Sequence, residues 1–229
     1  MDRPDVLTFA TFNIHHGRGE DGVVDLARTA DVIGSLDADL VALQELDLNL
    51  ARSGHVDQAA ELAGLTGMEV RFFPAVLIHD GEYGQALASR GPLDATIEPL
   101  PRAAGEERRI AIVARYRGVS VVATHLAQGG RALELQTDAL ATLAARLDPP
   151  VIVLGDLNQR IGSLDALFSL GYTTYPRPGS LRARFAVRRI DHVLAGPGTR
   201  IRKLRVVRTN ASDHYGAVAA RVHLVMRGK

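Results

Sequence analysis

Short apolar runs and amphipathic stretches follow one another along the whole chain, and the period of each predicts its element. Residues 7 to 13 (LTFATFN) alternate as a strand. Residues 25 to 36 (DLARTADVIGSL) read as a helix, with Leu26, Thr29, Val32, Ile33 and Leu36 at helical spacing and Asp25 as its cap. Residues 39 to 44 (DLVALQ) form a buried strand and 57 to 66 (DQAAELAGLT) a helix, followed by short strands at 68 to 73, 75 to 79, 84 to 90 and 93 to 98. The second half starts again with strands at 108 to 116 and 118 to 125 around the turn Arg117-Gly118. A helix from about 130 to 147 comes next, then a buried strand and loop in PPVIVLGDLN and a short helix in SLDALFSL. The basic loop GYTTYPRPGSLRARFAV and strands at 189 to 194, 201 to 208 and 216 to 224 complete the chain. Each half holds hairpins and crossover helices, which predicts two mixed sheets packed face to face with helices outside, an α/β sandwich. With 229 residues, no linker and no low-complexity tract, residues 1 to 229 read as a single domain.

Composition narrows the chemistry. There is no Cys, which excludes disulfides, thiolate zinc sites and a Cys nucleophile, fits a reducing compartment, and leaves only O and N ligands for a metal. No apolar run is long enough to span a bilayer, and the first one, VLTFATFNI, reads as a strand rather than a leader, so a cytoplasmic location is expected. The formal net charge is only +1. Between Pro176 and Arg208, however, ten basic residues (Arg177, Arg182, Arg184, Arg188, Arg189, Arg200, Arg202, Lys203, Arg205 and Arg208) face the single acid Asp191. The asymmetry suits an anionic partner near the C-terminal third, with a solvated basic face as the competing explanation.

Candidate chemistry collects at strand ends, where loops free backbone and side chains for ligands. Asn13 and His15 end the first strand, Gln44 and Glu45 follow the strand DLVAL, and His125 ends GVSVVATH. Asp156 and Asn158 follow VIVLG, Asp191 sits within RIDHVL, and Asp213 and His214 precede the last strand. Taken singly, each has an ordinary role as a cap, a turn residue or an ion-pair partner. Six strand ends delivering acids, amides and imidazoles to one rim are harder to explain that way. Glu45 with Asp213 and the nearby Asn13 describes a hard divalent cation such as Mg²⁺, which takes one or two carboxylates and keeps its waters for substrate phosphate. Asp156 offers a carboxylate to orient and deprotonate water, Asn158 a neutral donor for a phosphate oxygen, and His214 an imidazole fixed by Asp191. Such a set serves in-line attack of water on phosphorus, where positioning and charge neutralisation do most of the work.

In this order TFNIHHG, VALQELD, EYGQALASR, VVATHLA with the helix RALELQTDAL, VIVLGDLN, RIDHVL and SDHYGAV resemble the endonuclease/exonuclease/phosphatase superfamily, from Thr11 to Val218. That resemblance implies a DNase-I-like four-layer α/β sandwich and a Mg²⁺- or Mn²⁺-dependent hydrolase of phosphoric esters. It further implies that Asn13 and Glu45 bind or orient the metal, that Asp213 assists the metal or the imidazole, and that His125 contacts the scissile phosphate. Asp156 would align the attacking water, Asn158 contact phosphate and water, Asp191 orient His214, and His214 stabilise the pentacovalent phosphorus. Some relatives carry an acid where this chain has His15, which leaves the metal site one negative charge short and turns His15 toward phosphate or a second cation. Strand alternation, carried through the motif, puts Asn13 and His15 on one face and Ile14 and His16 on the other.

Substrate class is the least constrained reading. The run NIHHGRGEDGVVDLARTADVI resembles small bacterial members of the superfamily, and similar NI-x-x-G segments occur in domains of phospholipid or glycolipid-anchor metabolism. This favours a phosphodiester on a small molecule or lipid headgroup. The chain lacks aromatic wedges of the kind that duplex-handling enzymes insert into a groove, which argues against abasic-DNA processing. A nuclease of DNA or RNA, with the basic loop tracking a backbone, is the alternative, followed by a non-catalytic anion-binding module. Arg52, Arg108, Arg109, Arg182 and Arg184 are candidate phosphate clamps, with surface solubility as the competing role. Tyr83, just before the strand GQALAS, is a candidate cover for the substrate, with simple packing as its competitor.

Overall fold

Residues with period-2 alternation form strands, and the rows they turn inward decide how the strands stack. The computed structural model describes residues 5–79, 81–174 and 189–225. Among these the order is β1 (Val6–Asn13), α1 (Leu26–Ser35), β2 (Leu40–Leu48), α2 (Gln58–Thr66), β3 (Glu69–Ile78), β4 (Gly81–Ser89), β5 (Asp94–Pro99), β6 (Ile110–Tyr116) and β7 (Val119–His125). It continues with α3 (Gly130–Ala145), β8 (Val151–Asp156), α4 (Asp165–Ser169), β9 (Asp191–Ala195), β10 (Thr199–Arg208) and β11 (Gly216–Leu224). A six-stranded sheet runs β10-β11-β1-β2-β4-β3 and a five-stranded sheet β5-β6-β7-β8-β9. Both are mixed. β1 and β2 are parallel across the α1 crossover, β7 and β8 are parallel across α3, and the remaining pairs are antiparallel.

Three apolar clusters make the layers. Leu7, Phe9, Leu40 and Leu87 of one sheet meet Ile112, Val121, Ile152 and Val193 of the other in a core between the sheets. On the outer face of the larger sheet Phe12, Val41 and Leu43 pack with Leu26, Ile33 and Leu62 of α1 and α2. On the outer face of the smaller sheet Val122, Val153 and Leu194 pack with Leu140 of α3 and Leu167 of α4. The result is the expected four-layer sandwich. Asp25 caps α1 by accepting from the Arg28 N–H (3.0 Å), and Asp57 caps α2 through the Ala60 N–H (2.9 Å). Such caps contribute about 0.5–2 kcal/mol each.

Three boundaries differ from the sequence reading. The strands expected at 68 to 73 and 75 to 79 are one strand, β3, with an irregular register between Pro74 and Val76. Proline is tolerated there because β3 is an edge strand, where a missing N–H breaks no ladder bond on the open side. β2 does not end at Gln44 but runs to Leu48 through a bulge between Gln44 and Leu46, so Glu45 sits inside a strand. Likewise Tyr83 lies within β4 rather than before it. Most of the basic loop, with Arg177, Arg182, Arg184 and Arg188, lies outside the described residues.

Candidate active site

The rows that fill the inter-sheet core turn polar at one end. On β1 the inward row Leu7, Phe9 continues as Thr11 and Asn13; on β2 Leu40 and Ala42 continue as Gln44. On β7 Val119, Val121 and Ala123 lead to His125, and on β8 Ile152 and Leu154 lead to Asp156. β9 runs the other way, so its row begins with Asp191 before Val193 and Ala195. His214 stands two residues before β11, whose inward row is Val218, Ala220 and Val222. The cross-strand register sets His125 beside Asp156 and Asp156 beside Asp191. Period 2 therefore gathers the expected residues at one mouth of the sandwich. Polar side chains line the approach from the core: Thr11 Oγ donates to Gln44 Oε1 (3.1 Å), and Gln85 Nε2 and Thr124 Oγ both donate to the Ile110 carbonyl (3.1 and 2.9 Å).

Asp156 is the centre. The residue is 1 % exposed, and its Oδ2 lies 3.2 Å from Asn13 Nδ2, 3.3 Å from His125 Nε2 and 3.4 Å from His214 Nε2. Its Oδ1 accepts from the Asn158 N–H (3.0 Å), an Asx turn that holds Asn158 at φ 49°. Burial opposes a charge at Asp156, but the bonds and charges of His125 and His214 outweigh it and hold the carboxyl below its ordinary range. On its far side His214 places Nδ1 2.8 Å from Asp191 Oδ2. Burial alone would depress His214, yet Asp191, with Asp156 and Asp213, raises it to about 9, so the imidazolium persists at neutral pH. Burial pushes the Asp191 carboxyl up, and the shared proton resides on the imidazole, where two further carboxylates act on it. Asn158 Nδ2 donates to the Leu126 carbonyl (2.8 Å), which leaves its second N–H for a ligand oxygen.

Asn13 links this group to a second one. Its amide also donates to Glu45 Oε1 (2.8 Å), while its Oδ1 accepts from the His15 N–H (3.1 Å). With both ends of the amide engaged, Asn13 orients Glu45 and Asp156. The bulge puts Glu45 at φ 63°, and the chain leaves extended geometry straight after Asn13, with His15 and His16 at φ 47° and 46° in a 3-10 turn. The alternation that separates His15 from His16 therefore ends at Asn13, and both imidazoles come to Glu45. One ligand atom from each of the three lies within 4.8 Å of the others, as do ligand atoms of Asp156, Asp191 and His214. Either group could hold a cation, though the second is already spent on internal hydrogen bonds. Asp213 belongs to neither; it stands exposed at the rim, its carboxylate 3.7 Å from His15 Nδ1. Strand alternation alone sends His16 to the opposite face, and the sequence reading assigns His192 no role. His192 is buried, its Nε2 2.8 Å from the Gln159 carbonyl, and burial lowers it to about 4, so it is a neutral support next to Asp191 in the chain.

The candidate clamps are more fully committed than expected. Arg52 forks onto the buried carboxylate of Asp47 (2.6 and 2.8 Å) and lies 5.3 Å from the Tyr83 ring centroid. Arg109 pairs with Glu107 at 3.2 Å. Burial, then the nearby charge of Glu45, raises the Tyr83 hydroxyl, so it stays neutral beside that carboxylate. Arg184 lies outside the described residues. A groove of about 670 Å³ lined by Arg90, Lys203, Arg205 and Arg221 gathers other basic side chains, but it borders Val6 and Thr8 at the start of β1, away from Asn13 at its end.

Comparison with known proteins gives concordant results. Residues 10–214 match the model of the Endonuclease/Exonuclease/phosphatase family. An endonuclease/exonuclease/phosphatase from Beutenbergia cavernae has a similar structure, with a TM-score of 0.74 and 25 % identity over 96 % of this chain and 72 % of that one. The 3'-5' exonuclease of Neisseria meningitidis gives a TM-score of 0.64 at 18 % identity, covering 93 % and 98 % of the two chains. A mannosyl-6-phosphatase from Bacteroides thetaiotaomicron gives 0.63 at 17 % identity, covering 96 % and 100 %. At these identities the last two share the fold alone. No curated protein matches the sequence.

Proposed function

Because the chain belongs to the endonuclease/exonuclease/phosphatase family, a hydrolytic family, we propose that it is a divalent-metal-dependent phosphoric ester hydrolase using Mg²⁺ or Mn²⁺. The substrate class is a phosphodiester of a small molecule or lipid headgroup, attacked in line by water. The observation that carries this reading is the convergence of Asn13, His125 and His214 on one buried carboxylate oxygen of Asp156.

Each residue is assigned a role that its contacts support. Asp156, anionic and held from three sides, presents a fixed acceptor that orients the attacking water and takes its proton. His214, positive at neutral pH, faces the charge that accumulates on the phosphoryl oxygens. Asp191 fixes the ring and keeps the proton at His214 Nδ1. The free N–H of Asn158 supplies a further donor to phosphate oxygen, and His125 helps to hold the Asp156 carboxylate. Glu45, oriented by Asn13, is the carboxylate for the cation, while Asp213 adds negative charge beside the imidazoles at the rim. A bound divalent cation would neutralise phosphoryl charge and acidify water.

A nuclease is the second reading, favoured by the likeness to the Neisseria exonuclease. The test uses metal-stripped protein with bis-(p-nitrophenyl) phosphate, p-nitrophenyl phosphate, plasmid DNA and single-stranded RNA, each with and without added Mg²⁺ or Mn²⁺. The diester should turn over only when metal is restored, and in ¹⁸O-water the label should appear on phosphorus. Cleavage of nucleic acid alone would make the nuclease reading correct. Failure to cleave any ester would leave a non-catalytic anion-binding module.

A further inference from the structure

We propose that His15, His16 and Glu45 form a two-imidazole, one-carboxylate site for a first-row transition-metal dication, so that this chain selects Mn²⁺, Co²⁺ or Zn²⁺ over Mg²⁺. The role given to the ion rests on the hydrolase reading; the geometry of the site does not.

Convergence is the first observation. A nitrogen of each imidazole and an oxygen of Glu45 lie within 4.8 Å of one another. Ligands at about 2.0–2.2 Å from one ion stand no more than about 4.4 Å apart, so small side-chain rotations close the set. The two rings meet edge to face, with centroids 4.6 Å apart.

The second observation is independent of the first and concerns polar atoms without partners. His16 is only 7 % exposed, and among the described residues its Nδ1 has no hydrogen-bond partner; neither does the buried Nδ1 of His15, since Asp213 at 3.7 Å is too distant. An imidazole nitrogen withdrawn from water and left unpaired is costly, and two side by side call for a common explanation. A cation bound through these nitrogens would satisfy both.

Backbone bonds hold the pair in place. His15 and His16 both occupy left-handed conformations that non-glycine residues avoid. The turn is held there by Gln58 Nε2 donating to the His16 carbonyl (2.8 Å), the Gly17 N–H to Ile14 (2.9 Å) and the Arg18 N–H to His15 (2.8 Å).

Ligand type then selects the ion. Mg²⁺ demands oxygen ligands, whereas imidazole suits Mn²⁺, Co²⁺ and Zn²⁺ progressively better. A set with one carboxylate leaves the complex with net positive charge and open positions for a phosphate oxygen.

The experiment is a titration of the metal-stripped full chain with Mn²⁺, read by electron paramagnetic resonance, with Mg²⁺ measured by competition. Mn²⁺ should bind at least about tenfold more tightly than Mg²⁺, and pulsed spectra of the wild-type chain should show ¹⁴N coupling from ligated imidazole. His15→Gln and His16→Gln should each weaken Mn²⁺ by about tenfold or more, change Mg²⁺ far less, and together abolish the nitrogen coupling. Equal affinities, or no nitrogen coupling in the wild type, would overturn the proposal, and that readout does not depend on how the variants fold. Coupling that survives in the folded double variant would overturn it too, by placing the ion with His214. Ester turnover without nitrogen coupling would leave the hydrolase reading standing alone. Nitrogen coupling without turnover would do the reverse.

Discussion

His214 shows how three residues can set the chemistry of one. The ring is mostly buried, an environment that expels charge, yet Asp191, Asp156 and Asp213 surround it and raise it to about 9. Asp191 supplies the bonded contact, so Asp191→Asn should lower the His214 pKa by about 1–3 pH units, as followed by ¹⁵N or ¹H shifts of the metal-free protein. An unchanged titration would remove Asp191 as the cause. Because the folded value is raised above the ordinary 6.5, the pair's contribution to stability is fully present below pH 6.5 and is lost as pH rises through about 9. Turnover that needs the imidazolium should decline over the same upper range. At this scale most of the candidate site is legible in the sequence, since Asn13, Glu45, His125, Asp156, Asp191 and His214 are chemically distinctive and all but Glu45 sit at or beside strand ends. His16 is not legible. Its position follows from two left-handed residues after Asn13, and nothing in the side-chain pattern of NIHHG announces where extended geometry stops.

Strands deliver these residues, and one of them depends on a single glycine. Gly155, just before Asp156, has φ 146°, and a Cβ there would fall on the Thr124 carbonyl oxygen of the neighbouring β7. The close approach lies at the pair Thr124 and Gly155, next to His125 and Asp156 in the register. Gly155→Ala should therefore cost about 1–3 kcal/mol or more in a urea unfolding experiment, and lower turnover as the carboxylate is displaced. Wild-type stability would show that β7 and β8 can separate without consequence. Strands and helices are legible at this scale because the apolar periods are clean, and Asp25 and Asp57 cap α1 and α2 at or beside the expected starts. The continuous β3 and the bulge that turns Glu45 inward are not, because they depend on which strand is an edge and where a register slips. The acid partners of Arg52 and Arg109 are likewise a product of folded geometry.

The whole molecule is two sheets whose shared core is apolar through most of its length and polar at one mouth. Such an arrangement keeps Asp156 almost dry, where fixed dipoles and charges act strongly and need little reorganisation as the reaction proceeds. It also separates the site from the basic groove bordering Val6 and Thr8, at the opposite end of β1, so that groove does not extend the site as a phosphate track. Fold and family follow from the ordered motifs; the substrate does not, because the same mouth serves different esters with different surrounding loops. In the proposed reaction the carboxylate of Asp156 drives water onto phosphorus. The most direct test of that step is the initial rate of bis-(p-nitrophenyl) phosphate hydrolysis with saturating Mn²⁺, compared between the wild-type chain and Asp156→Asn of matched thermal stability. The rate should fall on the order of a hundredfold or more in the variant. Equal rates in the two proteins would show that Asp156 is not the base.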